Sequence, residues 1–316
     1  MKSTATAPGK VILFGEHFVV YGVKAILCAI DKRITATSQL LDERKIRIKS
    51  EIGNVELDLD APPNPDSITD RFMKPFLHIA KETLREFNEN RGIEIVLQSE
   101  IPAGIGLGSS SAACVATTAS VTGLFEKKSK EEILKRSIES ERIIFEDVSG
   151  ADSSVSTFGG LITYNKNGLE KISSKDNLRL IIANSNQSHS TREVVSKVKE
   201  FKNKNEKLFY EMCEQENILV ENALLSIKKN DLKNLGLLMS KNQKMLEKIN
   251  VSTDKLDLLI KEASKTSYGA KITGAGGGGC IISLIDESNA TNTLENLEKI
   301  SDCFVAKIDF KGLDYL

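Results

Sequence analysis

The spacing of apolar residues in the first half of the chain alternates between strand and helix patterns. Segments with a period of two, together with short apolar runs, predict strands at 11–14, 25–29, 33–38, 45–49, 55–59 and 93–97. Apolar residues at helical spacing predict a helix over 71–89. Further helices are expected at about 110–124 and 130–146, the second with Ser129 as its N-cap. The proline-rich segment 61–67 predicts a turn.

The second half of the chain has a different pattern. Strands are expected at 161–164 and 178–183, followed by a long charged helical region from 192 to about 266. Because no proline follows Pro102, long uninterrupted helices are favoured there. A strand–loop–strand element at 271–284, a helix at 289–299 and a strand at 303–309 complete the pattern. The sequence therefore predicts an α+β protein of two domains, residues 1–172 and 173–316, divided in a polar stretch at 166–177.

Composition narrows the functional classes. The 316 residues include 43 basic and 44 acidic side chains, and a net charge of −1 gives no electrostatic basis for binding nucleic acid. No apolar run approaches the roughly 18 residues that cross a membrane, and the N-terminal segment lacks the apolar core of a signal peptide. The five cysteines are scattered without a CxxC pair, which favours reduced thiols. We therefore expect a soluble cytoplasmic protein.

The segment PAGIGLGSSSAA at 102–113 carries the clearest chemical signal. Gly104, Gly106 and Gly108 alternate along a loop, and serines and alanines then begin a predicted helix. Glycine lets backbone N–H groups turn toward one side, and the first N–H groups of a helix have no partner within the helix. Such a loop at a helix N-terminus favours phosphate binding.

Two common phosphate-binding motifs do not fit this segment. The P-loop requires a lysine after its glycines, and none follows here. The glycine spacing could mimic a dinucleotide fingerprint, but that motif needs a parallel strand after its helix. Here a second helix is predicted instead.

Two other segments place reactive or unusual residues beside predicted strands. APGKVILFGEHFVVYG at 7–22 has Lys10 before a buried strand and Glu16 and His17 after it, although ordinary polar flanks of a strand would look the same. TGAGGGGC at 273–280 has five glycines in six residues between two strands. This run indicates either a close backbone approach or a flexible hairpin turn.

Together with SGADSSVSTFGG at 149–160, these segments resemble the small-molecule kinase family that includes galactokinase, homoserine kinase, mevalonate kinase and phosphomevalonate kinase. The resemblance extends from Ala7 to about Leu284. It implies an N-terminal ribosomal-S5-like α+β domain, a C-terminal ferredoxin-like α+β domain and an active site between them. The motifs are most similar to the branch that phosphorylates mevalonate. They therefore imply transfer of the γ-phosphoryl group of ATP to its 5-hydroxyl, with Mg²⁺, in isoprenoid biosynthesis, by a homodimer.

The resemblance also assigns roles to individual residues. Asp152 and Lys10 match the catalytic pair, in which the aspartate accepts or orients the proton of the attacking alcohol. Ser110 and Glu141 match magnesium ligands. The substrate would contact Glu16, His17, Asp152 and Thr191. The residues matched to ATP binding are Pro102, Gly104, Gly106, Leu107, Gly108, Ser109, Ser110, Ser111, Ala112, Gly274, Gly276 and Gly277.

Several alternatives stay open on the sequence alone. Asp152 could be a helix N-cap, and Glu141 could be one solvated charge beside Glu139 and Glu146. His189 stands where the family usually has an arginine or lysine, so the partner of the substrate carboxylate is not identified. Glu146-Asp147-Val148 replaces residues that are frequent in the family. Alternative functions are phosphomevalonate kinase, a nucleotide-binding relative without activity, and the decarboxylating relative, whose first motif differs.

Overall fold

A computed structural model of the chain describes residues 1–60, 71–102, 104–145, 148–174, 178–188 and 190–316. The predicted turn at 61–67 and residues His189, Glu146 and Asp147 lie outside these ranges. The first part of the chain contains β1 (Lys2–Phe14), a 3-10 helix (Phe18–Tyr21), β2 (Ala25–Leu41), β3 (Lys45–Ser50), β4 (Gly53–Asp58), a 3-10 helix (Arg71–Met73), α1 (Lys74–Glu86), β5 (Gly92–Ser99), α2 (Ser109–Thr122), α3 (Lys130–Glu141), α4 (Ala151–Phe158), β6 (Leu161–Asn165) and β7 (Gly168–Ile172). The second part contains β8 (Arg179–Asn184), α5 (Thr191–Lys204), α6 (Glu206–Lys229), α7 (Leu232–Lys248), α8 (Asp254–Ala263), β9 (Gly269–Thr273), β10 (Cys280–Ile285), α9 (Ala290–Glu298), β11 (Cys303–Lys307) and β12 (Asp314–Tyr315).

The strands form two sheets. The first has the order β12-β1-β2-β5-β3-β4, with β6 also paired to β2 and β7 to β6. In it, β3 and β5 run parallel, whereas the other pairs are antiparallel. The second sheet is antiparallel and has the order β11-β8-β10-β9. This arrangement confirms the α+β class. The chain leaves the first sheet after β7, and the exact boundary between 172 and 173 stays a prediction.

Helix α2 lies at the centre of the first part because its side chains are small. Ala112, Ala116 and Ala119 are completely buried, and the helix packs against β1 and β2. Small side chains on every side of the helix let its backbone approach the sheet. The N-terminal end of α2 is thereby fixed relative to β1, which carries Lys10.

Two expectations about the elements were wrong in detail. The strands predicted at 25–29 and 33–38 are one strand, β2, and the polar pair Asp31-Lys32 sits where its register with β1 shifts. The expected long helical region is divided into α5, α6, α7 and α8. Asn230 and Asn250 follow α6 and α7 with φ of 54° and 60°. Asparagine tolerates this left-handed conformation, so it ends helices here without proline or glycine.

The expectations about membranes and thiols can be compared with the same residues. Among the described residues, no helix combines the length and the apolar character needed to cross a bilayer. All five cysteines lie within the described ranges and are free thiols.

Candidate active site

A cavity of about 1210 Å³ lies where the ends of β1, α2 and α4 meet the loop between β9 and β10. Residues of all four sequence motifs line it, including Lys10, Gly106, Asp152 and Gly274. The two glycine-rich loops approach each other closely, since a Cβ atom built on Gly274 would lie 3.7 Å from Gly106 O. The fold thus brings together segments that are far apart along the chain, such as those of Lys10 and Gly274.

The loop before α2 has the backbone expected of an anion site. Gly104 and Gly106 have φ of 75° and 82°, and a Cβ atom at either position would meet no other group within 4 Å. These two glycines therefore leave open space at the cavity. The loop is tied to β1 by a 2.9 Å hydrogen bond that Lys10 N donates to Leu107 O. Gly108 then serves as the N-cap of α2, and this residue offers no side chain to the first N–H groups of the helix.

Lys10 and Asp152 form an ion pair at the cavity. Lys10 Nζ lies 3.0 Å from Asp152 Oδ2. The lysine side chain is 6% exposed and the aspartate side chain 41% exposed, so the carboxylate remains accessible from the cavity. Asp152 lies in the first turn of α4, after Gly150 with φ of 79°. The carboxylate thus lies close to two positive groups, the lysine ammonium and the N-terminal end of α4.

Glu141, at the end of α3, is a buried carboxylate beside this pair. Ser111 Oγ donates to its Oε1 at 2.5 Å and Ser153 Oγ donates to its Oε2 at 2.6 Å. Burial raises the pKa of Glu141, while the two serine hydrogen bonds lower it, Asp152 raises it and Lys10 lowers it. Glu141 is therefore part of the site and is not a solvated surface charge.

The oxygen atoms at and near Glu141 are suitable ligands for a magnesium ion that is also bound by nucleotide oxygens. Each carboxylate oxygen of Glu141 accepts one serine hydrogen bond, which leaves lone pairs for a cation. Ser110 also lines the cavity and adds a hydroxyl at the start of α2. Among the described residues, no three His, Cys, Asp or Glu side chains form a complete metal site. Magnesium usually keeps several waters and phosphate oxygens, so a small set of protein ligands fits it.

Glu16 and His17 lie on the other side of the cavity, in the turn after β1. Lys271 Nζ donates to Glu16 Oε1, and both side chains are almost completely buried. Burial raises the pKa of Glu16, and Lys271 opposes this rise. No described residue gives Glu16 Oε2 a hydrogen-bond partner. Glu16 also borders the cavity, although its side chain is only 1% exposed.

His17 connects the turn to the second glycine-rich loop. Its Nε2 lies 2.8 Å from Ala275 O. Burial lowers the pKa of His17, the bond to Ala275 raises it, and Lys271 lowers it. The neutral ring is favoured, and Nε2 then donates to the carbonyl. His17 has a φ of 62°, which is uncommon for a residue with a side chain.

Most of the residues predicted for the site line the cavity, but five do not. Thr191 lines it as the first residue of α5, after the N-cap Ser190. Five predicted ATP-binding residues are absent from the described cavity wall: Pro102, Leu107, Ala112, Gly276 and Gly277. Gly277 N donates to Val251 O at 2.7 Å, and a Cβ atom at Gly276 would lie 2.3 Å from the same oxygen. These two glycines permit close packing against Val251.

Sequence reasoning missed Glu216, which is completely buried on α6. Its Oε1 accepts a 2.9 Å hydrogen bond from Gly15 N, and its Oε2 accepts one of 2.7 Å from Asn242 Nδ2. One signal was available. Phe209, Met212 and Val220 mark the buried face of α6 at helical spacing, and Glu216 is a charged residue on that face.

Comparison with known proteins gives a consistent result. Residues 74–160 match the GHMP kinases N terminal domain, and residues 223–301 match the GHMP kinases C terminal family. The chain is 36% identical to the mevalonate kinase of Pyrococcus furiosus over 305 residues, which is 90% of this chain and 89% of that protein. It is 35% identical to the Methanocaldococcus jannaschii mevalonate kinase over 92% of this chain and 95% of that protein.

Solved structures give the same picture. The crystal structure of the Methanococcus jannaschii mevalonate kinase superposes with a TM-score of 0.86 and 32% identity, covering 97% of this chain and 98% of the other. The L. major mevalonate kinase in complex with R-mevalonate has a TM-score of 0.82 at 23% identity, covering 96% of this chain and 95% of the other. At that identity the second likeness concerns the fold alone.

Proposed function

This chain belongs to the GHMP kinase family, and we propose that it transfers the γ-phosphoryl group of ATP to the 5-hydroxyl of mevalonate. The observation that carries the proposal is the Lys10–Asp152 pair, which lies in the cavity that both glycine-rich loops border. The substrate is supported by relatives named mevalonate kinase that match about nine-tenths of the chain. The product would be 5-phosphomevalonate, an isoprenoid precursor.

The ATP phosphates would occupy the loop before α2. Gly104 and Gly106 leave open space there, and the N-terminus of α2 presents N–H groups and the positive end of its dipole. Ser109, Ser110 and Ser111 follow at once, and all three line the cavity. This placement would direct the γ-phosphoryl group toward Asp152.

Asp152 and Lys10 would carry out the transfer. Asp152 accepts the proton of the 5-hydroxyl as its oxygen attacks the γ-phosphorus. The bond from that phosphorus to the bridging oxygen of the β-phosphate breaks, and ADP leaves with the bonding electrons. Lys10, paired with Asp152, balances negative charge on the transferring group. The step is direct, with no enzyme-bound intermediate.

Ser110 and Glu141 would hold Mg²⁺ beside the phosphates. When bound, Mg²⁺ would neutralise part of the phosphate charge. Glu141 is oriented for this role by Ser111 from α2 and Ser153 from α4, so one carboxylate connects both helices that border the reacting groups.

The substrate would lie between the turn after β1 and the start of α5. Glu16 borders the cavity there, with its Oε1 held by Lys271. His17 and Thr191 border the same cavity. A homodimer and a cytoplasmic location belong to the same proposal. They rest on the resemblance to the family and, for the location, on the free thiols.

The test is ADP release by the purified chain with ATP and Mg²⁺. Mevalonate, phosphomevalonate, galactose and homoserine would be supplied separately at equal concentrations. We expect turnover with mevalonate to exceed that with each other acceptor by at least tenfold. Equal turnover would reject mevalonate as the substrate, and preferential turnover of phosphomevalonate would establish that alternative instead.

A further inference from the structure

Glu216 lies outside the four motifs, yet it reaches the turn that carries Glu16 and His17. The carboxylate comes from α6 and bonds the backbone of Gly15, 201 residues away in the chain. It is completely buried, and both of its oxygens accept hydrogen bonds. A buried carboxylate is costly to retain where packing alone is needed. Its position therefore calls for a specific explanation.

The turn held by Glu216 has an unusual backbone. Gly15 and His17 have φ of 92° and 62°, on either side of Glu16. A Cβ atom on Gly15 would lie 2.6 Å from Lys24 O, so this part of the turn is packed tightly. Uncommon backbone conformations persist where the surroundings fix them. The Glu216 carboxylate supplies one such constraint, through the first amide after β1.

Helix α6 is itself anchored beside the turn by aromatic packing. Phe209 lies two helical turns before Glu216, and its ring centroid is 5.7 Å from that of Phe18 and 4.8 Å from that of Tyr21. Both partners belong to the 3-10 helix that continues the turn. Helix α6 thus places the Glu216 carboxylate at the backbone N–H of Gly15.

We propose that Glu216 is a positioning residue, which holds the turn at Gly15 so that Glu16 and His17 face the substrate. This inference rests on the proposed function, because it assigns the turn to mevalonate and the loop at 104–108 to ATP. Loss of the acceptor should therefore weaken mevalonate binding and leave ATP binding unchanged. A purely structural role would lower the active fraction, and hence kcat, with both KM values unchanged.

The test compares Glu216→Leu, Glu216→Gln and the matched control Glu221→Gln. Glu221 lies on the same helix but is exposed, and it bonds Lys24 rather than the backbone of the turn. We expect Glu216→Leu to raise the KM for mevalonate about thirtyfold, with the KM for ATP within about twofold of wild type. Glu216→Gln keeps an acceptor for Gly15 and should raise the KM for mevalonate by about threefold or less. Glu221→Gln should behave as wild type.

Hydrogen exchange provides a readout that does not depend on turnover. At pH 8, above the pKa of about 7 of Glu216, a neutral amide replaces a charged acceptor in Glu216→Gln, so peptides covering 13–22 should exchange several times faster than in wild type. Peptides covering 280–285 should not change. This comparison decides the matter even if Glu216→Leu is not recovered folded. Unchanged exchange at 13–22, or equal effects on both KM values, would overturn the proposal. A wild-type chain inactive on mevalonate would reject the proposed function and leave the exchange result valid.

Discussion

The Lys10–Asp152 and Lys271–Glu16 pairs join the same types of side chain in different surroundings. Asp152 is 41% exposed at the cavity, whereas the Lys271 and Glu16 side chains are 0% and 1% exposed. A charge that water can reach loses little when its partner is removed, but a buried charge loses the partner that made its burial tolerable. This contrast fits the proposed function, in which the first pair acts in the reaction and the second organises the turn assigned to the substrate.

The largest expected effect separates the two pairs by activity. Asp152→Asn keeps the shape of the side chain but removes the proton acceptor, so kcat should fall by about 10³-fold. The melting temperature and the dissociation constant for ATP should stay close to wild type. The matched control is Glu139→Gln, an exposed residue of α3, which should retain full activity. An Asp152→Asn variant with more than a tenth of wild-type kcat would remove Asp152 from the catalytic role.

The second expected effect distinguishes the two ion pairs by how much each contributes to the free energy of unfolding. Lys271→Met would leave Glu16 buried without its cation, and the free energy of unfolding should fall by about 3–5 kcal/mol. Lys10→Met should cost less than about 1 kcal/mol, because Asp152 can be hydrated from the cavity. Urea unfolding of both variants gives the comparison. The double variant Lys271→Met/Glu16→Gln should recover part of the loss, and equal costs for the two single variants would contradict the contrast.

The smallest expected effect is a pH dependence of stability that arises from Glu216, which lies near the buried Lys271–Glu16 pair. Burial and the charge of Glu16 raise the pKa of Glu216 to about 7, whereas Asn242, Lys271 and Gly15 N–H lower it. The folded state thus keeps a proton that the unfolded chain releases near its ordinary pKa of about 4.5. Stability from this group is full at low pH and is lost as pH rises toward 7.

Between pH 5 and pH 8, the free energy of unfolding of wild type should accordingly fall by about 2–3 kcal/mol relative to that of Glu216→Gln. The measurement is urea unfolding of both proteins at each pH, since shared groups such as Glu16 and Lys271 largely cancel in the difference. Parallel stability profiles would show that Glu216 does not titrate in this range.

Local features of the chain were predictable because their causes are local. Ser129 was expected as the N-cap of α3, and its Oγ accepts a hydrogen bond from Glu132 N. An open glycine loop was expected before α2, and Gly104 and Gly106 do leave open space, while phosphate binding there stays a prediction. By contrast, Glu16 and Lys271 are separated by 255 positions, and no periodicity relates them. Pairings of this kind depend on how the two sheets are placed.

The helical region shows why element boundaries were less predictable. Absence of proline after Pro102 suggested long helices, but Asn230 and Asn250 end α6 and α7 through left-handed backbone. Asparagine can lie within a helix or end it in a left-handed conformation, so tertiary contacts decide which of the two occurs. The close approach of Gly276 to Val251 is a tertiary contact of the same kind, and the predicted role of Gly276 in ATP binding stays a prediction.

The pairing of β12 with β1 has a consequence for synthesis on the ribosome. Tyr315 and Asp314 pair with Ala5 and Thr6, so the sheet that begins with β1 acquires its edge strand from residues near 315. Most of that sheet is translated long before this strand. Until β12 has been made, the edge of β1 at Ala5 and Thr6 lacks this partner. A nascent chain stopped before residue 314 would expose this edge of β1 to other chains.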